Sequence, residues 1–185
     1  MFENSFPAVP LEDIGGKLWV DFGNAEILAQ RGFGDVLASE PAFLAWLDRR
    51  GIAAPESLGD LALARELRAK LCEARQNPVA LATFELVQKL LRTQSRWTEL
   101  TRNEAGYQVH EARRLETLTD ALGPIAESFA QTLANEDLGR LRKCESASCD
   151  LYFLDDSKNG RRRWCSMAHC GNRSKAARFH AKNRA

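Results

Sequence analysis

Apolar side chains recur every three or four residues along much of the chain, which is the spacing that places them on one face of an α-helix. Segments with this pattern span residues 39–51, 63–74, 80–91 and 120–133. Ser39, followed by Pro41, is a typical helix start, and Asp120 is a candidate N-cap for the last segment. The pattern predicts a helical bundle with its own core in residues 1–139, with Trp46 and Trp97 in that core.

The third segment, residues 80–91, predicts a helix with a defined buried face. Its repeating positions are Ala80, Phe84, Val87 and Leu91, so the pattern places all four on the buried face of a helix. Residues 100–118 have no clear period, and the alternation of Tyr107 and Val109 is compatible with a short strand.

After residue 139 the long helical periods give way to short elements. Residues 151–154 are apolar and aromatic, and the turn-rich run that follows ends in Asn159-Gly160, a strong hairpin signal. Ser166 is a candidate N-cap for a final helix, which would place Cys170 in its first turn. The predicted order of knuckle, hairpin and helix resembles a treble-clef finger.

Charge divides the chain at the same place. Residues 140–185 contain twelve Lys and Arg against four Asp and Glu, a net charge of 12 − 4 = +8. Residues 1–139 contain the remaining 14 basic and 21 acidic residues, a net charge of −7. A small domain with this excess of cations is expected to attract a polyanion, of which nucleic acid is the simplest. The domain boundary is therefore predicted near residues 135–142.

Four of the five cysteines form two pairs in the basic region, Cys144/Cys149 and Cys165/Cys170, and each pair encloses four residues. A tetrahedral Zn²⁺ needs four converging ligands, and two short thiolate loops supply them. Two disulfides are disfavoured because the chain does not begin with an export signal, and iron–sulfur ligation, which usually uses two-residue gaps, is the weaker alternative. His169 could replace Cys170, but Cys170 preserves the matched spacing.

The segment Cys165–Arg173 reads Cys-Ser-Met-Ala-His-Cys-Gly-Asn-Arg and resembles the CGNR zinc-finger family, whose motif is spelled by Cys170–Arg173. The resemblance extends into the basic stretch Lys175–Lys182. In that family the finger follows a helical domain described as a putative stress-induced transcription regulator, and Gly16–Asn24 resembles the early segment of that domain. The resemblance implies a helical regulatory or ligand-sensing domain in residues 1–139, a CGNR-type finger in residues 140–185, and a function in DNA binding.

The candidate nucleic-acid contacts are the basic residues that lie near the predicted metal site or on the predicted final helix. They are Arg161, Arg162, Arg163, Arg173, Lys175, Arg178, Lys182 and Arg184. Double-stranded DNA is the favoured partner, and RNA is a close variant. Some of this charge could instead offset the thiolates around the metal, or dock the finger on acidic protein, including the acidic domain of the same chain.

The first domain offers few signs of chemistry. Trp19, Asp21 and Asn24 are a candidate effector pocket for a small molecule, although the pattern favours a helix start in which Trp19 enters the core and Asp21 or Asn24 is the cap. Cys72 is expected to be a small buried residue. A closed shell of four thiolates leaves no position for substrate, so we expect a cytoplasmic, non-catalytic protein. The alternative function is a zinc-stabilised module that binds protein or RNA, and the oligomeric state stays open.

Overall fold

The computed structural model describes residues 14–78 and 80–182 of the chain. Within them, six α-helices and two antiparallel pairs of strands follow one another along the chain. Their bounds are α1 Leu18–Gln30, α2 Glu40–Asp48, α3 Ala62–Ala74, α4 Leu81–Thr93, β1 Arg96–Asn103, β2 Gly106–Arg113, α5 Leu118–Asn135, β3 Leu141–Lys143, β4 Tyr152–Leu154 and α6 Asn172–Lys182. The fold class predicted from the sequence, mainly helical with a small zinc finger, is confirmed.

The helices from α1 to α5 share one apolar core, and we call them the helical unit. Helix α1 packs against α3 and α5, and α4 packs against α5. Trp19 meets Phe129 edge to face, with ring centroids 5.1 Å apart, while Phe22 lies 5.3 Å from Trp46. The prediction that Trp46 is a core residue is therefore confirmed. No described helix combines the length and the apolar composition that a membrane crossing requires.

Local signals set the ends of two helices. Ser39 accepts a hydrogen bond from the backbone N–H of Ala42 at 3.3 Å and caps α2, as predicted. For α5, the predicted cap Asp120 was wrong by three positions, because the N-cap is Thr117. Asp120 is the other half of a capping box, in which Thr117 Oγ1 accepts from the Asp120 N–H at 3.3 Å and Asp120 accepts from the Thr117 N–H at 3.0 Å.

The buried face of α4 differs from the one that the sequence predicts. Thr83, Val87 and Leu90 are buried, whereas Phe84 is exposed. The hydroxyl of Thr83 donates to the carbonyl oxygen of Lys70 on α3 at 3.2 Å, so a polar residue takes a position inside the helix pair. Val87 belongs to both faces, and hydropathy alone misplaced the centre of the buried face by a rotation of about 60°.

Strands β1 and β2 form a long hairpin where the sequence showed no clear period. The pairing runs from Arg96 opposite Arg113 to Asn103 opposite Gly106. Gly106 has a φ of +122° at the turn, a backbone conformation that favours glycine. The prediction that Trp97 lies in the core was wrong: it lies on β1 and about half of it is exposed. A helical period cannot be distinguished from a strand over so few apolar residues.

The C-terminal part, which we call the finger, begins with β3 and β4. These two strands pair with each other, so the finger's hairpin encloses the first cysteine pair rather than the Asn159-Gly160 turn that the sequence favoured. Residues 161–164 pair with no strand. Instead, the buried Asp155 accepts a hydrogen bond from the Arg162 N–H at 2.9 Å, and this side-chain contact holds the returning segment.

Helix α1 joins the helical unit to the finger. The buried side chain of Asn24 pairs with both backbone groups of Tyr152 on β4: its Oδ1 accepts from the Tyr152 N–H at 2.9 Å and its Nδ2 donates to the carbonyl oxygen at 2.8 Å. The amide thus takes the place of a neighbouring strand. The two cores also interlock, since Leu141 and Tyr152 pack on the helical core while Ile27 and Leu28 of α1 pack on the finger.

Candidate metal centre

Each of the four clustered cysteines is held by a different piece of local structure. Cys144 follows β3 directly, and its N–H donates to the carbonyl oxygen of Leu151 at 2.9 Å, which closes the first loop. Cys149 lies in that loop before β4. Cys165 ends the segment that Asp155 organises, and Cys170 lies in a wide helical turn, Met167–Gly171, that leads into α6. The chain therefore brings the sulfurs together from two regions, the loop between β3 and β4 and the segment that leads into α6.

The geometry of these sulfurs fits one tetrahedral metal ion. All four Sγ atoms lie within 4.8 Å of one another, and Cys165 Sγ is 3.7 Å from the Sγ atoms of both Cys149 and Cys170. Metal–sulfur bonds of about 2.3 Å in a tetrahedron place the sulfurs about 3.8 Å apart. A disulfide needs about 2.05 Å, and no cysteine is bonded to another. All four residues are 3–6% exposed, so the ion would be closed off from solvent.

The four thiols oppose one another's ionisation, which is the chemistry of a site that binds a cation. A hydrogen bond from the Cys165 thiol lowers the pKa of Cys149 to about 5. The same hydrogen bond, together with burial, raises the pKa of Cys165. Burial and the nearby charges of Cys149 and Cys144 raise the pKa of Cys170 to about 11. Four thiolates cannot ionise together at this distance without a cation, and a divalent ion removes the conflict.

Nitrogen donors around the sulfurs complete the site. The backbone N–H of Cys165 points to Cys144 Sγ at 3.4 Å, and Arg173 Nη2 lies 3.9 Å from Cys170 Sγ. Such donors offset the charge of about −2 that four thiolates and a Zn²⁺ ion leave. His169 does not belong to the ligand group, because its Nδ1 is 3.1 Å from Ser166 Oγ. That contact occupies the Ser166 side chain, which makes no capping hydrogen bond to the helix.

Comparison with known families agrees with this geometry. The CGNR zinc finger family model matches residues 140–183, which contain all four cysteines. The ABATE family model, described as a putative stress-induced transcription regulator, matches residues 16–136. The chain belongs to the ABATE family. The prediction of zinc as the cofactor is thereby confirmed. Among curated proteins, no relative matches the chain.

In this ABATE protein the motif Cys170–Arg173 has a structural explanation at each position. A side chain at Gly171 would place its Cβ 2.7 Å from Met167 Sδ, so only glycine fits without displacing Met167. Asn172 donates to the carbonyl oxygen of Ala168 at 3.2 Å. Arg173 donates to Ser148 Oγ at 2.9 Å and so ties α6 to the loop between the first two cysteines. The motif therefore builds the second half of the metal site.

The basic residues predicted to bind nucleic acid divide into distinct groups. Arg161 and Lys175 are exposed and have no ion-pair partner among the described residues. Arg163 is exposed, pairs with Glu145 at 2.6 Å and lies over the ring of Trp164. The side chains of Arg178 and Lys182 are not among those that the structure describes, although the α6 backbone includes both residues. Arg184 lies outside the described residues.

Arg162, another predicted nucleic-acid contact, uses its guanidinium for contacts within the protein. Its Nε donates to the carbonyl oxygen of Trp164 at 3.1 Å, its Nη2 donates to the carbonyl oxygen of Ile14 at 3.4 Å, and the guanidinium lies 4.6 Å from the ring centre of Phe153. Arg173 likewise uses its guanidinium within the finger. Both arginines hold the fold around the metal, and composition alone could not separate them from the exposed cations.

The candidate effector residues also have internal partners. Trp19 Nε1 donates to Thr132 Oγ1 at 3.0 Å, Asp21 Oδ1 accepts from the Gly15 N–H at 2.8 Å, and Asn24 binds the finger. The cavity beside Asp21 and Asn24 measures about 10 Å³, which is room for one water molecule at most. The structure thus differs from the expectation of a small-molecule pocket here.

The sequence reasoning missed two residues that position the finger. Arg31, at the end of α1, donates to Asp150 and to the carbonyl oxygen of Ser148 on the first cysteine loop. Asp155 organises the segment that leads to Cys165. An acid in a run rich in turn residues is a usable signal for Asp155. The sequence contains no comparable signal for Arg31, because its partner Asp150 lies more than 100 residues away in sequence.

Proposed function

We propose that this protein binds double-stranded DNA through its finger and thereby regulates transcription. We also propose that it is a cytoplasmic protein. The observation that carries the proposal is the finger's surplus of positive charge, +8 in residues 140–185. Two of the predicted contacts, Arg161 and Lys175, are exposed and lack an ion-pair partner among the described residues, as does Lys158. Cations of this kind gain free energy by displacing the counterions of a phosphate backbone.

The contacts between the finger and the helical unit, which we call the joint, support an external partner for the positive charge of the finger. Attraction between a basic finger and an acidic helical unit would pair finger cations with acids of the helical unit. Among the described residues, the ion pair found across the joint has the opposite sense: its cation is Arg31, next to α1, and its anion is Asp150 on the finger. The remaining contacts at β4 use the amide of Asn24, backbone groups, the packing of Tyr152 on the helical core, and the Arg75 guanidinium over the Tyr152 ring. The joint thus leaves Arg161 and Lys175 available for phosphate.

We assign the zinc a structural and not a catalytic part in this function. Cys144, Cys149, Cys165 and Cys170 would fill all four positions of a tetrahedral ion, so no position remains for water or substrate. Zinc would supply the charge that lets four buried thiolates coexist. The protein's own residues then fix α6 and the exposed cations around this centre, through Arg173 and Arg162.

A titration of labelled duplex DNA at about 50 and 200 mM salt tests the proposal, with fluorescence anisotropy as the readout. We expect binding that weakens steeply with salt. The double variant Arg161→Ala, Lys175→Ala should bind more weakly and reduce the slope of log K against log salt by about 1.8, since each lost phosphate contact contributes about 0.9. The matched control is Lys89→Ala, Arg92→Ala, which removes the same charge from the exposed side of α4.

Two results would decide against this function. If the zinc-loaded protein binds no duplex DNA at low salt, the proposal fails. If both double variants weaken binding equally, the interaction reflects total charge and the finger is not the binding surface. Stronger competition by single-stranded RNA than by duplex DNA would instead assign the finger to RNA.

A further inference from the structure

Residues 157–161 form a turn on the surface of the finger, and we call it the basic turn. Its two cations, Lys158 and Arg161, are exposed, and neither has an ion-pair partner among the described residues. The acids that precede the turn are already in use: Asp156 pairs with Arg162 Nη1 at 3.2 Å, and the acid before it is fully buried. The basic turn therefore presents to solvent two cations that no neighbouring acid pairs with.

One serine holds the basic turn closed. The carbonyl oxygen of Ser157 accepts a hydrogen bond from the Gly160 N–H at 3.1 Å, and its hydroxyl oxygen accepts from the Arg161 N–H at 3.3 Å. The same hydroxyl donates to Asp155 Oδ1 at 2.5 Å. A hydroxyl can donate and accept at the same time, so this single group links the backbone of Arg161 to a buried carboxylate.

Two further side-chain contacts anchor the basic turn to the finger. Asp155 Oδ1 also accepts from the Ser157 N–H at 3.0 Å, and Asp155 Oδ2 accepts from the Arg162 N–H at 2.9 Å. Arg140 donates from Nη1 to the carbonyl oxygens of Asp155 and Ser157, at 3.2 and 3.0 Å. Both ends of the turn are therefore fixed before any ligand binds, and little backbone freedom remains to be lost on binding.

The Ser157 hydroxyl acts on the basic turn, and this contact is separate from the one that leads the chain to the third cysteine. The latter is the hydrogen bond from the Arg162 N–H to Asp155. A loop that is already ordered loses less conformational entropy when it binds, and so it binds more tightly. We propose that Ser157 is a positioning residue for DNA binding, because its hydroxyl holds Lys158 and Arg161 ready for contact with phosphates. This inference rests on the proposed function and adds which surface of the finger meets the DNA backbone.

A double-mutant cycle on the zinc-loaded full chain tests this role, with the affinity for duplex DNA at about 50 and 200 mM salt as the readout. It combines Ser157→Ala with the charge variant Lys158→Ala, Arg161→Ala. The charge variant should weaken binding by about tenfold or more and reduce the slope of log K against log salt by about 1.8. Ser157→Ala should weaken binding about fivefold while both cations are present, because the turn must then be ordered on binding. In the charge variant the same substitution should leave the affinity unchanged.

Ser157→Thr keeps a hydroxyl and is the matched control. It should bind like the wild type, and every variant should retain one zinc per chain. A Ser157→Ala variant overturns this inference if it binds like the wild type, weakens binding equally with and without the two cations, or loses its zinc. A charge variant with the affinity of the wild type also overturns it. In each of these cases a wild type that binds duplex DNA still supports the proposed function, whereas a wild type that binds none overturns both.

Discussion

The helical unit and the finger reach a folded state by different means. The helical unit buries a continuous set of large apolar side chains, including Trp19, Phe22 and Phe129, from five helices. The finger's own small core contains Leu151 and Phe153 with the four cysteines, Leu154 is buried beside it, and Ile27 and Leu28 of α1 pack on this core. Burial of apolar surface scales with size, so a segment of about 40 residues needs another source of free energy. In the finger that source is the metal.

The comparison also shows that the two parts are not independent. Each core contains residues from the other part, and the Asn24 amide completes the edge of β4. We therefore expect the finger to need the metal to fold and the helical unit to complete its surface. Substitutions in the metal site, the helical core, the contact between the parts and the buried carboxylates separate these contributions.

Loss of a metal ligand should have the largest effect. Cys165→Ser should abolish stoichiometric zinc binding and unfold the finger, because a structural zinc site contributes about 10–16 kcal/mol of apparent free energy. The helical unit should keep most of its helicity but melt at a lower temperature, since Tyr152 no longer packs on it. Elemental analysis and circular dichroism measure both outcomes.

The fifth cysteine provides the control for that experiment. Cys72 lies on α3, where its thiol donates to Glu26, and burial raises its pKa to about 11. Cys72→Ser should retain one zinc per chain. If Cys165→Ser also retains zinc and an ordered finger, the metal is not what holds the finger together.

A cavity in the core of the helical unit should cause the next largest loss of stability. This loss should be confined to the helical unit. Phe129→Ala should lower the free energy of unfolding by about 3–5 kcal/mol, because Phe129 is fully buried against Trp19. The four cysteines lie outside that core, so zinc content should not change. Urea unfolding measures the loss. The same substitution at the exposed Phe84 should cost no more than about 0.5 kcal/mol, and an equal cost at both positions would refute the assignment of the core.

The contact between Asn24 and the Tyr152 backbone can be removed without changing an apolar side chain of either core. Asn24→Ala leaves the N–H and C=O of Tyr152 without their partner, and each buried group left unpaired costs about 1–3 kcal/mol. We expect faster hydrogen exchange at the Tyr152 amide and earlier melting of the zinc-loaded finger. Asn135→Ala is the control, because that amide is exposed on α5. Unchanged exchange at Tyr152 would mean that Asn24 does not hold the finger.

The smallest losses of stability are expected at two buried carboxylates, Asp155 in the finger and Asp120 in the helical unit. For Asp155, burial opposes ionisation, but hydrogen bonds from Ser157 and Arg162 outweigh it and lower the pKa. For Asp120, hydrogen bonds from Glu116 and Thr117 overcome burial in the same way, and its pKa is also lowered. Asp155→Asn or Asp120→Asn should each cost about 1–3 kcal/mol at neutral pH.

The pH dependence of these variants has a definite sign. A carboxyl group whose pKa is lower in the folded state stabilises that state above its unfolded value of about 4 and loses this effect as pH falls through its folded pKa. The difference between the wild type and either Asn variant should therefore be constant near pH 7 and shrink below about pH 4. A difference that grows in acid would contradict the lowered pKa values.

Much of the fold was predictable because it depends on neighbours in sequence. Ser39 and Pro41 mark the start of α2 through contacts within one turn. The apolar repeat of α3 needs only the helical period. Failures occurred where a distant residue decided the outcome: Thr83 enters the core because it bonds to Lys70, and β1 finds its partner only when β2 folds back along it.

The sequence alone determined the metal site: the spacing of Cys144, Cys149, Cys165 and Cys170 already implied one tetrahedral ion, because ligands on two short loops meet with few alternatives. Only the tertiary structure decided how individual polar side chains are used. Arg161 and Arg162 are adjacent and identical in type, yet one faces solvent and the other holds Ile14 and Trp164. Asn24 became the joint with the finger rather than part of an effector pocket. Such assignments depend on which distant backbone groups need a partner, and no local pattern contains that information.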